Sequence, residues 1–76
     1  MMEPLRHTSP AVWLDQIFSA KAVASGGVVR RNRTWVANEI GLTRFEQAVR
    51  DRGFHLIEAG PQLVVICHSG PIRICF

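Results

Sequence analysis

Three observations predict a small α+β domain of winged-helix-like type. Residues 26–67 read GGVVRRNRTWVANEIGLTRFEQAVRDRGFHLIEAGPQLVVIC, and a Gly-Gly break there leads into a short valine run. Two segments of helical period follow, separated by little more than Gly41 and Leu42. From Phe54 onward the apolar period changes to two. The expected order is therefore a helix, a short strand, two helices and a three-stranded antiparallel β-meander.

The elements follow in chain order. Residues 1–8 lack periodicity and read as a flexible arm, with one compact domain over residues 9–76. Ser9 is placed to cap a helix whose first position is Pro10, where the missing amide hydrogen costs nothing. Trp13, Leu14, Ile17 and Phe18 form its apolar stripe, and Gly26 and Gly27 are expected to end it. Val28 and Val29 fit a short edge strand. The next helix is expected to begin near Asn32 or Thr34 and end at Gly41, with Trp35 or Val36, Ala37 and Ile40 facing inward. Thr43 with Glu46 three residues on has the form of a capping box for a second helix, which buries Phe45, Ala48 and Val49 and ends at Gly53.

Strands are expected over residues 54–58, 63–68 and 72–76, punctuated by Gly60-Pro61 and Ser69-Gly70-Pro71. If Ala59 pairs with Gln62 and Cys67 with Ile72, one sheet face carries Phe54, Leu56, Leu63, Val65, Cys67, Ile72, Ile74 and Phe76 and covers the helices. The other carries His55, Ile57, Val64, Ile66, Arg73 and Cys75. A slip of one residue would exchange the two sets.

Size and composition bound the function. A chain of 76 residues buries only about 60% of the surface its unfolded form exposes, which leaves little room for a deep active site. Apolar residues make up 47% and charged residues 20%, the balance of a folded domain rather than a disordered tail. Net charge is +3, and all nine basic residues except Lys21 are arginines, whose planar forks suit phosphate and carboxylate partners. No signal segment is read at the start. The longest apolar run, residues 63–67, is far shorter than the ~20 residues that span a bilayer. A cytoplasmic protein with reduced thiols is expected.

His55, Cys67, His68 and Cys75 invite a metal or nucleophile reading. Zinc needs several ligands converging on one point. Neighbours in a strand, such as Cys67 and His68, point to opposite faces, as do Cys67 and Cys75 in this register. No metal, no cofactor, no disulfide and no catalytic residue is therefore expected, and Cys67 reads as a small core hydrophobe.

Binding features remain. On the second helix of the pair, Arg44, Gln47 and Arg50 could reach DNA, but Glu46 and Asp51 would repel its backbone. The apolar phase of that helix also departs from the DNA-binding motif, which wants apolar side chains at positions 47 and 50. Arg30, Arg31 and Arg33 form a dense cluster that either grips an anionic partner or guards a strand edge. Arg52 and Arg73 are candidate extensions of the patch. The outer sheet face either docks a partner or lies beneath the arm or first helix.

The blocks GGVVRR (residues 26–31), RDRGFHLIE (50–58) and QLVVIC (62–67) resemble a family of short proteins carried by bacterial phages, prophages and gene-transfer elements. The likeness covers about two thirds of the chain and lies in fold-determining positions more than in any catalytic motif. The family includes an anti-CRISPR protein directed against type I-C systems. The resemblance implies a non-enzymatic, phage-borne inhibitor in the bacterial cytoplasm. It would bind protein subunits of a type I-C surveillance (Cascade) complex and block target DNA. Arg30 and Arg31 are the binding residues it carries over; Arg33, Arg44, Arg52 and Arg73 complete the candidate set. Nucleic acid is a secondary partner, no membrane is expected, and the chain is read as a monomer or weak homodimer. The alternative is a winged-helix DNA-binding regulator.

Overall fold

A computed structural model describes residues 9–76; the expected arm, residues 1–8, lies outside the described residues. The elements are α1 (Pro10–Phe18), α2 (Lys21–Ala24), β1 (Val28–Asn32), α3 (Arg33–Glu39), α4 (Leu42–Asp51), β2 (His55–Ala59) and β3 (Gln62–Ile66). This is an α+β domain with a three-stranded antiparallel sheet, in the helix–strand–helix–helix–hairpin order of a winged helix. The third strand, however, is not residues 72–76. The sheet order is β1-β3-β2. β1 occupies the side of β3 where those residues were expected, in register from Val28↔Ile66 to Asn32↔Gln62. A strand has two edges, and both edges of β3 are filled. Residues 71–76 belong to no helix or strand and are exposed.

Local chemistry explains most boundaries. The Ser9 hydroxyl accepts from the Val12 amide at 3.3 Å and caps α1 as expected. The helical run does not continue to the glycines. Ala20 adopts extended backbone (φ −65°, ψ 152°), which divides α1 from the single turn of α2. Gly27 then lies so close to α2 that a Cβ would stand 3.1 Å from the Ala22 carbonyl oxygen. The Asn32 side chain accepts from the Trp35 amide at 2.9 Å, ending β1 and starting α3 within one residue. The expected Thr43–Glu46 capping box is absent. Gly41 is the N-cap of α4 at φ 99°, and Thr43 already lies inside the helix, past the position from which its hydroxyl could cap.

The core lies between the helices and one sheet face. Ile17, Val36, Ile40, Phe45 and Val49 from the helices meet Val29, Leu63, Val65 and Cys67 from the sheet. Phe54 and Leu56 pack against this cluster from its margin. The expected Ala59↔Gln62 pairing is observed, so the inward and outward sets on β2 and β3 are as the alternation predicts. Ile72, Ile74 and Phe76 are exposed, and so leave the inward set.

Two side chains here carry predictions. Burial pushes the Cys67 thiol above its usual value, because the thiolate would lose its hydration. The folded state therefore retains the proton that the unfolded chain releases. The contribution is present below the usual thiol value and is lost as pH rises through and above it. A thiol reagent at neutral pH should label the exposed Cys75 quickly and Cys67 only on unfolding. Rapid labelling of both would refute the burial.

Arg52 donates from Nη1 to the Ala48 carbonyl at 3.0 Å, and its guanidinium carbon lies 4.1 Å from the Phe18 ring centroid. It ties the end of α4 to α1. Arg52→Met keeps most of the stem and should cost about 1–2 kcal/mol. The check is a lower urea midpoint at unchanged slope.

Candidate protein-docking surface

The register defines what the outer face presents. Val28, Ile66 and His55 form one cross-strand row, and Arg30, Val64 and Ile57 the next. Ile57, Val64 and Ile66 are half-buried, Val28 is 49% exposed and Arg30 is exposed. Ile17, Val36, Phe45 and Val49 of α1, α3 and α4 join the cluster on the opposite face, so among the described residues these helices lie away from this surface. The result is an apolar strip across three strands with an arginine in its middle row. An accessible strip of this kind favours a partner with an apolar patch beside a carboxylate.

The six candidate arginines do not form one patch. Arg30 projects from the outer face of β1. Arg31 lies on the inner side and is half-buried, and its Nη1 donates to the Arg30 carbonyl at 2.7 Å. Arg33 opens α3, and its Nε is 3.0 Å from the Glu58 carboxylate. Both partners of that pair are about half exposed, so solvent screening limits its worth to below about 1 kcal/mol. Arg44 is exposed on α4. Arg52 is engaged with Ala48 and Phe18. Arg73 lies in the exposed segment after the sheet. Arg30, Arg31 and Arg33 are thus neighbours along β1 and the start of α3, but Arg30 and Arg31 point to opposite sheet faces, and the other three stand on other elements.

Sequence reasoning missed Val28 on the outer face and placed Arg73 and Cys75 there. Both errors follow from assigning the third strand to residues 72–76. The alternation of Val28, Arg30 and Asn32 against Val29 and Arg31 is the signal that could have corrected them, since only one phase can bury a valine.

A second cluster was also unforeseen. His55 Nε2 lies 2.6 Å from the Gly70 carbonyl, while the Gly70 amide donates to His68 Nδ1 at 3.1 Å. The two rings meet edge to face at 6.0 Å. Both imidazoles therefore hold the bend after β3 against the start of β2. Among the described residues, no group of three or more His, Cys, Asp and Glu side chains is placed to hold a metal ion. No described helix is long and apolar enough to cross a membrane.

Among the described residues, these features define a winged-helix-like α+β domain with one sheet face turned away from the helical core. Comparison with protein-family models, curated proteins and solved structures finds no match.

Proposed function

We propose that this chain is a non-enzymatic, phage-borne inhibitor that docks on a protein subunit of a type I-C CRISPR surveillance complex and blocks target DNA binding. The outer sheet face carries the reading. The three blocks that resemble the phage-borne family supply nearly all of the sheet: residues 26–31 lead into β1, 50–58 into β2, and 62–67 form β3. Their outward side chains make the apolar strip, with Arg30 at the β1 end of its middle row. Net charge of +3 disfavours mimicry of DNA, which needs acidic groups facing a basic channel. Steric blockade from an acidic or mixed protein surface fits the charge better. The place of action is the cytoplasm of the bacterial host.

Chemistry by this chain is disfavoured by how its reactive groups are used. The Cys67 thiol is buried and held protonated, and both imidazoles near it are engaged by Gly70.

DNA binding is the second reading, favoured by the β1-β3-β2 sheet behind the α3–α4 pair. Its electrostatics are weak. The exposed face of α4 sets Arg44 and Arg50 against Glu46 and Asp51, and Gln47 donates to Asp51 at 2.8 Å rather than standing free. Affinity for duplex rests on phosphate neutralisation, and this face is balanced.

The experiment is co-purification with a tagged type I-C complex beside a gel shift on mixed-sequence duplex. Co-elution, loss of target binding by the complex and no gel shift at low salt are expected. Failure to co-elute with target binding unchanged would overturn the inhibitor. A gel shift weakening steeply with salt would instead establish the regulator.

A further inference from the structure

β2 is an edge strand with unused backbone groups. On the β1 side of β3, the Cys67 amide donates to the Gly27 carbonyl and the Arg33 amide to the Pro61 carbonyl. Odd-numbered residues of β3 therefore bond β1, and even-numbered ones bond β2. His55, Ile57 and Ala59 face β3, while the amides and carbonyls of Leu56 and Glu58 point away from the sheet. Those groups have no backbone partner among the described residues. The β1 edge is less receptive, because Arg31 Nη1 already occupies the Arg30 carbonyl.

Between this edge and α4 runs a groove of about 370 Å³ with an apolar floor of Val49, Phe54, Leu56 and Leu63. Its α4 wall carries Glu46 and Arg50, both exposed and neither in an ion pair among the described residues. They stand one helical turn apart, about 6 Å along the axis. The chain leaves α4 with the Phe54 amide bonded to the Val49 carbonyl and returns along β2. Arg50 therefore lies toward the Phe54 end of the groove and Glu46 toward the Glu58 end. Glu58 is 3.0 Å from Arg33 Nε, so that end is closed by a compensated pair, and Glu46 and Arg50 set the polarity. The His55 ring belongs to the other sheet face, where the Gly70 carbonyl holds it.

We propose that the β2 edge takes an extended segment of a protein partner as an added antiparallel strand, and that this segment reads basic–apolar–acidic over three consecutive residues. The basic residue lies opposite Glu58, the apolar one opposite Ile57 and the acidic one opposite Leu56. Alternate residues of a strand are about 6.8 Å apart, close to the spacing of Glu46 and Arg50. The basic and acidic side chains share the groove side and reach Glu46 and Arg50 with their methylene stems on the apolar floor. The middle side chain falls on the outer side and extends the row of Arg30, Val64 and Ile57.

Main-chain bonds to Leu56 and Glu58 are open to any extended segment, so the side chains decide which one binds. A wholly apolar segment would cover Glu46 and Arg50 and leave both charges without a partner. A segment of one charge would satisfy one of them and repel the other. Direction follows from the same polarity. Both pairs in this sheet are antiparallel, and that ladder is the more stable per residue. An antiparallel strand meets Glu46 before Arg50, which places the basic residue first.

Solution NMR on the intact, isotope-labelled chain tests the proposal. The probes are the capped peptide Thr-Arg-Val-Glu-Thr and its reversed-order control Thr-Glu-Val-Arg-Thr. The first should shift the Leu56 and Glu58 amides and slow their hydrogen exchange. The control should bind at least about threefold more weakly, since both charge contacts turn repulsive. Glu46→Arg with Arg50→Glu exchanges two exposed side chains and should reverse the preference while leaving the fold intact. No shift at Leu56 and Glu58 at millimolar peptide would overturn the proposal. So would equal affinity for the two orders, or an exchanged variant that keeps the original preference. Shifts confined to Val64 and Ile66 would place the peptide on the outer face and overturn it as well. None of these outcomes depends on whether the chain binds a surveillance complex.

Discussion

Phe45→Ala is expected to lower the melting temperature by about 15–30 °C and to leave little folded protein at physiological temperature. Phe45 is fully buried, where α4 meets α1 and the sheet, and its ring lies 6.3 Å from that of Phe18. Truncating a buried phenylalanine costs about 3–5 kcal/mol, because the cavity left behind is only partly filled. A domain of this length holds about 4–11 kcal/mol in total, so the loss approaches the lower bound. Phe45→Leu should cost markedly less, since it refills much of the volume. Thermal melts by circular dichroism decide this. A Phe45→Ala midpoint within a few degrees of the parent would show that the core does not converge on this ring.

Arg30→Glu is expected to abolish co-elution with the surveillance complex while leaving the melt unchanged. Arg30 is exposed in the middle row of the outer face, beside Val64 and across the sheet from Ile57. An interface arginine facing a carboxylate is the kind of contact whose loss costs about 2–4 kcal/mol, and charge reversal adds repulsion. Affinity should therefore fall by about a hundredfold or more. Stability should move by less than about 0.5 kcal/mol, since no described side chain depends on the Arg30 guanidinium. Adding Arg31→Glu should deepen the loss by removing the guanidinium that holds the Arg30 carbonyl. Arg44→Glu, on α4, is the control and should co-elute normally. Loss with Arg44→Glu and retention with Arg30→Glu would move the binding surface from the sheet to α4.

These predictions rest on parts of the molecule that were unequally legible. Phe45, Ala48 and Val49 were readable as buried because a helical stripe depends on spacing alone. The inward set Leu63, Val65 and Cys67 was equally plain once Gly60-Pro61 set the turn. Arg30 was readable as a binding candidate from the density of its cluster, but not as a member of the sheet's outer face. Arg52 looked like one more basic surface residue, whereas its guanidinium is engaged by Phe18, which lies 34 positions earlier in the chain. Nothing in the spacing of His55 and His68 announced a clasp, because its acceptor and donor are the backbone of Gly70.

What the sequence determined by itself was the order of elements, the turn at Gly60-Pro61, the cap at Ser9, and most of the residues by which each helix faces inward; Ala37, expected inward, is exposed because α3 turns only Val36 and Ile40 fully to the core. All of these depend on interactions within a few residues, where period, capping chemistry and glycine conformation act directly. Tertiary structure alone decided which segment completes the sheet. Residues 28–32 and 72–76 both have the alternation a strand requires, and β3 has one edge to offer beside β2. Contact between the α2 turn and Gly27 delivers β1 to that edge. The choice moved Val28 and Arg30 onto the outer face, took Arg73 and Cys75 off it, and left residues 71–76 outside the sheet. A one-dimensional pattern states what a segment can pair with, and competition for a single edge settles which one does.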